Sequence, residues 1–441
     1  MDISTEGGSR MFWRLLAVLF ALSLIAAACG SDDTADDDAS ASATDDTEAD
    51  EASEGDSSEE ADGAASADGE PIKIGDVTST SGAAIFPESA TIAKLVFERY
   101  NEQGGVDGRP IELVSVDAQD TSEGAAAAAK QLLEEEEVLG FCCGGSIVDC
   151  TTNASYYEQN NVEALMGVAA CAEAATVHPI NTGPFVPTLH MLDFFVYNLG
   201  HENICFTGYN VGLTPIFQDV FLPLWEADSG ITVNQAIPEV GEDLTPTVAK
   251  LAADGCDAVL AGFTEPDYQS FFQIVDGQGL REEIDFGMLT SGYSLSLLAA
   301  AGGTLEGIYA NSEFEPYTGD PSTFSDEVND YIALTTEADE ALTSFGEGGY
   351  ISANIMIEAL ESIEGEITFE SVQEAIKNIE YETPMLGGPF TATGFVGPVQ
   401  PNPYSQIMQV QDGEFTSVTG WWLFPRAEDE RNAETLTNVS G

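Results

Sequence analysis

The chain has 441 residues, long enough for two domains with a core each. It carries 12 Lys+Arg against 77 Asp+Glu, a net charge of −65, which argues against nucleic acid and anionic lipid headgroups as partners because both would be repelled. Its three scattered histidines (His178, His190, His201) suggest no metal site, no Asp-x-Asp-x-Asp-Gly calcium loop is visible, and the acidity reads as a solvated surface in a salty medium.

Arg10 and Arg14 precede an apolar run from Leu15 to Ala28 that ends in small residues just before Cys29. That pattern predicts a signal peptide over residues 1–28. The apolar run, about 14–18 residues, is short for a membrane span. Residues 30–70 are only Asp, Glu, Ser, Ala, Thr and Gly, and cannot bury enough apolar surface to fold. With Cys29 they form an acidic linker over 29–70, extended by self-repulsion to a reach on the order of 140 Å.

The folded part opens with a strand, Ile72, Ile74 and Val77, followed by a Ser81-Gly82 turn. Ile92, Leu95, Val96 and Tyr100 recur at helical spacing, Gly104-Gly105 suits a left-handed helix exit, and Ile111 to Val116 returns as a second strand. Strand, helix and parallel strand make a right-handed βαβ unit, whose ligands bind beyond the carboxyl ends of the strands. The alternation continues with a helix at 124–133, strand 138–143, the glycine turn Gly144-Gly145-Ser146, helix 150–159 and strand 164–169. The chain then crosses near Phe185 to His190. Beyond it come strand 203–209, helix 215–225, strand 231–237, helix 247–254 and strands 257–262, 286–289 and 307–310. A second crossing near Glu313 to Pro316 leads to helices 323–334 and 349–363, and a third near Leu386 to Pro389 leads to strands 404–410 and 414–418. The expected fold class is α/β: two doubly wound Rossmann-like lobes joined by a three-crossing hinge, since one sheet this long exceeds a single core. The expected boundaries are 71–187 for lobe 1, 188–313 for lobe 2, 314–386 for the return to lobe 1, 387–425 for the C-terminal strands of lobe 2 and 426–441 for a tail.

The run from Ile72 through Ser81-Gly82, Asn101-x-x-Gly104-Gly105-Val106-x-Gly108-Arg109-Pro110 and Val116-Asp117 resembles the opening of the branched-chain amino-acid (Leu/Ile/Val) binding proteins of ABC importers, which are type I periplasmic binding proteins. The resemblance runs from about residue 72 to about 425. Cys29 after Ala26-Ala27-Ala28 likewise resembles a bacterial lipobox, with Ala26 where leucine is usual, which implies acylation of Cys29 and a lipid-anchored, extracytoplasmic protein. The family likeness implies a small-molecule solute held by cleft closure, ABC permease subunits as partners, a monomer, no cofactor and no enzymatic activity. It implies that Gly145 and Ser146, and the small residues Ala170 and Cys171, hold an anionic or carbonyl group of the ligand; a simple tight turn explains Gly145 and Ser146 equally well. Phe86 and Phe263 are candidate apolar walls, with plain core as the commoner role of such residues, and Thr264 and Glu265 face the cleft from the second lobe. Thr290 or Ser291 stands where amino-acid-binding relatives place the carboxylate that pairs with a ligand ammonium, and Glu265 or Glu347 is the available substitute. Leucine, isoleucine and valine are therefore expected to bind weakly or not at all.

Six cysteines besides Cys29 in an exported chain suggest disulfides, with Cys205–Cys256 and Cys150–Cys171 as candidate pairs; a zinc site fits the spacing of Cys142, Cys143 and Cys150 poorly. No Gly-x-Ser-x-Gly, His-Glu-x-x-His or Walker sequence is present. A ligand-sensing ectodomain without transport and, further off, a surface hydrolase are the other readings compatible with these residues.

Overall fold

The computed structural model describes residues 67–82, 85–168, 175–183, 185–210, 214–392, 402 and 404–423. The expectations for the signal peptide, Cys29, the linker up to residue 66, Ala170, Cys171 and the tail lie outside these residues. Residues 67–70, expected to belong to the linker, are instead bonded to the fold, the Ala67 N–H donating to the Asn101 carbonyl at 3.1 Å and the Gly69 N–H to that of Gly108 at 2.9 Å.

The first sheet is built from β1 (Ile72–Thr78), β2 (Ile111–Asp117), β3 (Gly140–Phe141), β4 (Ala164–Met166) and β5 (Val177–Pro179), all parallel in the order β2-β1-β3-β4-β5. Its helices are α1 (Pro87–Glu102), α2 (Ser122–Glu134) and α3 (Asp149–Asn160). α1 starts with Pro87 in its first turn and buries Ile92, Ala93, Val96 and Phe97. It leaves through Gly104 and Gly105, both at positive φ, and a Cβ on Gly105 would lie 2.2 Å from the carbonyl oxygen of Arg109. Only glycine fits there. α2 is capped by Thr121, whose hydroxyl accepts the Gly124 N–H, and lays Ala125, Ala128, Ala129 and Leu132 on Val77 and Phe141.

After β5 the chain passes through helix α4 (Phe185–Asp193), which runs into a π-turn at Phe194–Asn198, and enters a second sheet. The sequence pattern marks this stretch only as a crossing and misses both β5 and α4. The second sheet contains β6 (Ile204–Gly208), β7 (Asn234–Ala236), β8 (Ala258–Gly262), β9 (Asp285–Met288) and β10 (Tyr309–Ser312), parallel in the order β10-β9-β8-β6-β7. Its connections are α5 (Thr214–Ile216), a π-turn at Phe217–Phe221, α6 (Leu222–Ser229), α7 (Thr245–Ala253), α8 (Glu265–Gly277) and α9 (Leu295–Ala301). Periodicity predicts one helix over 215–225, and the structure divides it with a π-turn that starts at Phe217.

From β10 the chain returns to the first sheet with α10 (Asp326–Glu337), α11 (Ser344–Glu361) and α12 (Phe369–Lys377). The short pair β11 (Glu380–Tyr381) and β12 (Phe390–Thr391) follows. The chain then rejoins the second sheet as β13 (Tyr404–Gln411), antiparallel to β10, with β14 (Glu414–Ser417) and β15 (Trp422–Leu423) beside it. The chain thus passes between the two doubly wound sheets three times. One apolar cluster runs from Ile74, Ile92 and Met356 on the first sheet to Val259, Phe271 and Phe286 on the second, and separate clusters cover the opposite face of each sheet.

The sequence pattern starts the return helix at Gly349, but α11 begins five residues earlier, at Ser344, capped by the Thr343 hydroxyl accepting the Gly346 N–H. Its glycines are packing residues: a Cβ on Gly349 would lie 2.1 Å from the carbonyl oxygen of Ser89 on α1.

Among the described residues Cys205 and Cys256 are bonded, tying β6 to the segment entering β8. Cys142 and Cys143, adjacent in sequence at the end of β3, are bonded to each other, a pairing not foreseen from the sequence. Cys150 is also disulfide-bonded, to a partner outside the described residues.

Candidate functional site

In each sheet the strand order reverses beside the first strand, between β1 and β3 in one and between β6 and β8 in the other. Loops leaving the carboxyl ends on either side of such a reversal diverge and open a crevice. A cavity of about 230 Å³ lies there, bounded by both sets of loops.

On the first side, the turn after β1 is clamped by Asp117 at the end of β2. Its Oδ1 accepts the N–H groups of Thr80 and Ser81 at 3.0 and 3.3 Å, and its Oδ2 accepts the Ser81 hydroxyl at 2.6 Å. The Ser81 hydroxyl and these amides hold the Asp117 carboxyl down at about 2. Phe86, whose N–H donates to the Ser79 carbonyl at 3.1 Å, lines the cavity and meets Phe345 of α11 edge-on at 4.7 Å. Gly145 lies behind this wall. Its N–H donates to Thr78 Oγ1 at 3.0 Å, its carbonyl accepts the Ser79 N–H at 2.9 Å, and a Cβ there would lie 2.2 Å from the Phe86 carbonyl oxygen. Ser146 is buried, its hydroxyl 3.1 Å from that of Ser79 and accepting the Asp149 N–H at 3.2 Å. The lining residue of this loop is Ile147. Gly145 and Ser146 therefore shape the wall, and their polar groups named here bond within the protein.

Beneath that loop two carboxyls are buried. Asp76 on β1 accepts the Thr78 hydroxyl at 2.7 Å and is pushed up to about 6 by desolvation. Asp149, at the start of α3, accepts hydrogen bonds from Asn153 and from the Tyr157 hydroxyl. Desolvation, joined by the charge of Asp76, pushes it up to about 7. The donors of Asn153 and Tyr157 oppose that rise without cancelling it.

On the second side, Tyr209 follows β6 and Phe263 follows β8, their rings 5.0 Å apart, and both line the cavity with Phe206 and Phe217. Thr264, Thr290 and Ser291 line it too. The Ser291 hydroxyl donates to the Phe263 carbonyl at 2.8 Å, and the Thr264 hydroxyl donates to Asp267 at 2.6 Å. Glu265 is outside the lining and accepts the Ser296 hydroxyl at 2.7 Å. Glu347, the other carboxylate considered from the sequence, is fully buried in the first turn of α11 and also outside the lining. Neither of its oxygens has a hydrogen-bond partner, and burial, with the charges of Glu315 and Glu313, pushes it well above the usual carboxylate range.

The carboxyl that does face the cavity is Glu313, just past β10. It accepts the Thr182 N–H at 2.7 Å, and its own carbonyl accepts Asn402 Nδ2 at 3.3 Å. It thereby links all three passages between the sheets. Burial raises its pKa, while Thr290 and Thr182 donors lower it. The sequence reading treats Glu313 only as a crossing residue; asking what stands at the carboxyl end of the last parallel strand would have singled it out. Phe345 and Phe185 escape that reading too, because they sit on helices that the pattern starts late or does not predict.

A family model described as periplasmic binding protein matches residues 71–414. The chain belongs to the type I periplasmic binding proteins. Its structural neighbours include an ABC transporter substrate-binding protein from Sphaerobacter thermophilus, at 20% identity and TM-score 0.67, with 80% of this chain and 98% of that one covered. A possible leucine/isoleucine/valine-binding protein from Rhodopirellula baltica aligns at 17% identity and TM-score 0.68, covering 80% and 98% of the two chains. A solute binding protein of an ABC transporter from Rhodopseudomonas palustris, in complex with p-hydroxybenzoic acid, aligns at 17% identity and TM-score 0.65, covering 79% and 95%. At these identities the neighbours show that this periplasmic binding protein shares their fold. No curated protein matches the sequence.

Proposed function

We propose that this periplasmic binding protein is the extracytoplasmic solute-binding component of an ABC importer. It captures one small amphipathic solute by closing its two lobes and presents it to permease subunits. The observation that carries this reading is the cavity at the two strand-order reversals, walled by aromatic rings from both sheets. An apolar cavity of about 150 Å³ holds benzene, so about 230 Å³ suits a solute with a single substituted ring or a branched chain of similar size. The three passages between the sheets act as the hinge. Delivery follows from the permease distinguishing closed from open forms. Residues 1–28 serve as signal peptide, Cys29 carries the lipid, residues 30–66 form the tether, and the protein acts as a monomer.

A thermal-shift screen of the full chain against single-ring and branched-chain acids, alcohols, amides and amines tests this reading. A bound solute at 100 times its dissociation constant adds about 2.7 kcal/mol and raises the midpoint. A chain that responds to no solute of this size is not a solute receptor of this kind.

A further inference from the structure

Only twelve Lys and Arg exist in the whole chain. Eight fall among the described residues, and each is engaged away from the cavity. Lys73 pairs with Glu136, Lys94 with Glu98, Arg99 with Asp330, Lys130 with Glu134, Lys250 with Asp254, Arg281 with Asp276 and Lys377 with Glu163, while Arg109 donates to the carbonyls of Glu70 and Pro71. The other four are Arg10, Arg14, Arg426 and Arg431, near the chain ends. No Lys, Arg or His is among the described residues that line the cavity, and Glu313 is the one ionisable carboxyl that does. Further carboxyls stand nearby, outside the lining: Glu347 interacts electrostatically with Glu313, and Glu88 on α1 with Glu265 on α8. One oxygen of Glu88 is buried without a partner. An anionic solute entering here would meet the Glu313 carboxyl and aromatic faces, both of which disfavour negative charge. A cation would meet a carboxylate that already holds the Thr182 N–H and rings whose faces attract it.

We propose that the solute of this cavity carries a protonated amine, which donates to Glu313 while its ring or branched chain packs among Phe86, Phe263 and Phe345. The proposal rests on the solute-binding reading and names the chemistry of the same site. The sequence reading expects weakness toward leucine, isoleucine and valine for want of an ammonium partner, which Glu313 supplies; under this proposal the weakness rests instead on their carboxylate, which would find no cation among the described lining residues.

The test is calorimetric titration of the full chain with three probes of matched size: 2-phenylethylamine, 2-phenylethanol and phenylacetate. The amine is expected to bind about 10- to 100-fold tighter than the alcohol, the range of a hydrogen bond to a charged group, and phenylacetate weakest. In Glu313→Gln, which retains an acceptor for Thr182, the amine should lose its advantage over the alcohol measured on the same variant. The ranking of the three probes on the unaltered protein decides even if that variant fails to fold. Phenylacetate binding tighter than the amine overturns the proposal yet leaves a solute-binding protein. Absence of binding by all three probes, and by the wider screen, overturns both.

Discussion

At the level of single residues, the site is organised by carboxyls whose environments differ sharply. Asp117 is held at about 2 by donors at the surface, whereas Asp149 is driven to about 7 by burial. The consequence for stability follows from the proton balance. Between about pH 4 and 7 the folded state holds the Asp149 proton that the unfolded chain has already released, so its contribution is full below about pH 4 and is lost as pH rises through about 7. Asp76 contributes in the same direction up to about 6. Asp149→Asn is therefore expected to flatten the fall of the melting midpoint between pH 4 and pH 8 and to raise the midpoint at pH 8. A variant that melts lower than the unaltered protein at pH 8 would show that the carboxylate is net favourable. The Phe86–Phe345 pair permits a second prediction. Aromatic pairs contribute about 1 kcal/mol beyond their area, and both rings are only half-buried. Phe345→Ala should cost about that much stability in urea unfolding and weaken the bound solute by about tenfold or more, because the ring is part of the wall.

At the level of elements, the alternation of strands and helices is readable from the sequence wherever apolar residues repeat cleanly, as in β1, α1 and β8. It is unreadable where packing, not periodicity, decides. The Gly346-x-Gly348-Gly349 run looks like a helix breaker, yet it lies inside α11 because α1 passes too close for side chains. Gly→Ala in a free helix gains about 1 kcal/mol. At Gly349 the added methyl would meet the Ser89 carbonyl oxygen at 2.1 Å, so Gly349→Ala should instead lose about 1–3 kcal/mol in chemical denaturation. A gain would mean that α1 and α11 separate easily. The candidate site was partly legible in the same sense. Phe263, Thr264, Thr290 and Ser291 line the cavity because they closely follow strands, and Phe86 because it ends the loop after β1, which local sequence shows. Glu313 also directly follows a strand, β10, and is passed over because the pattern reads it only as a crossing residue, whereas Phe185 and Phe345 reach the cavity from helices that the pattern does not predict or starts late. Gly145 and Ser146 sit at the expected turn but spend the polar groups described above on Thr78, Ser79 and Asp149.

At the level of the whole molecule, the net charge of −65 is a standing self-repulsion. Salt shortens the Debye length from about 30 Å at 0.01 M to about 3 Å at 1 M, so the melting midpoint should climb over that range. A midpoint independent of salt would mean that the acidic residues are too far apart in the folded state to matter. The central claim is that a solute is enclosed between two lobes by apolar walls, and burial of apolar surface leaves a negative heat-capacity change on binding. The decisive measurement is the temperature dependence of the calorimetric binding enthalpy for the tightest solute of the screen, on the unaltered protein and on Phe263→Ala. The account predicts one solute per chain, a clearly negative heat-capacity change, and a loss of affinity in the variant. A heat-capacity change near zero, with affinity untouched by Phe263→Ala, would place the solute elsewhere and contradict the account.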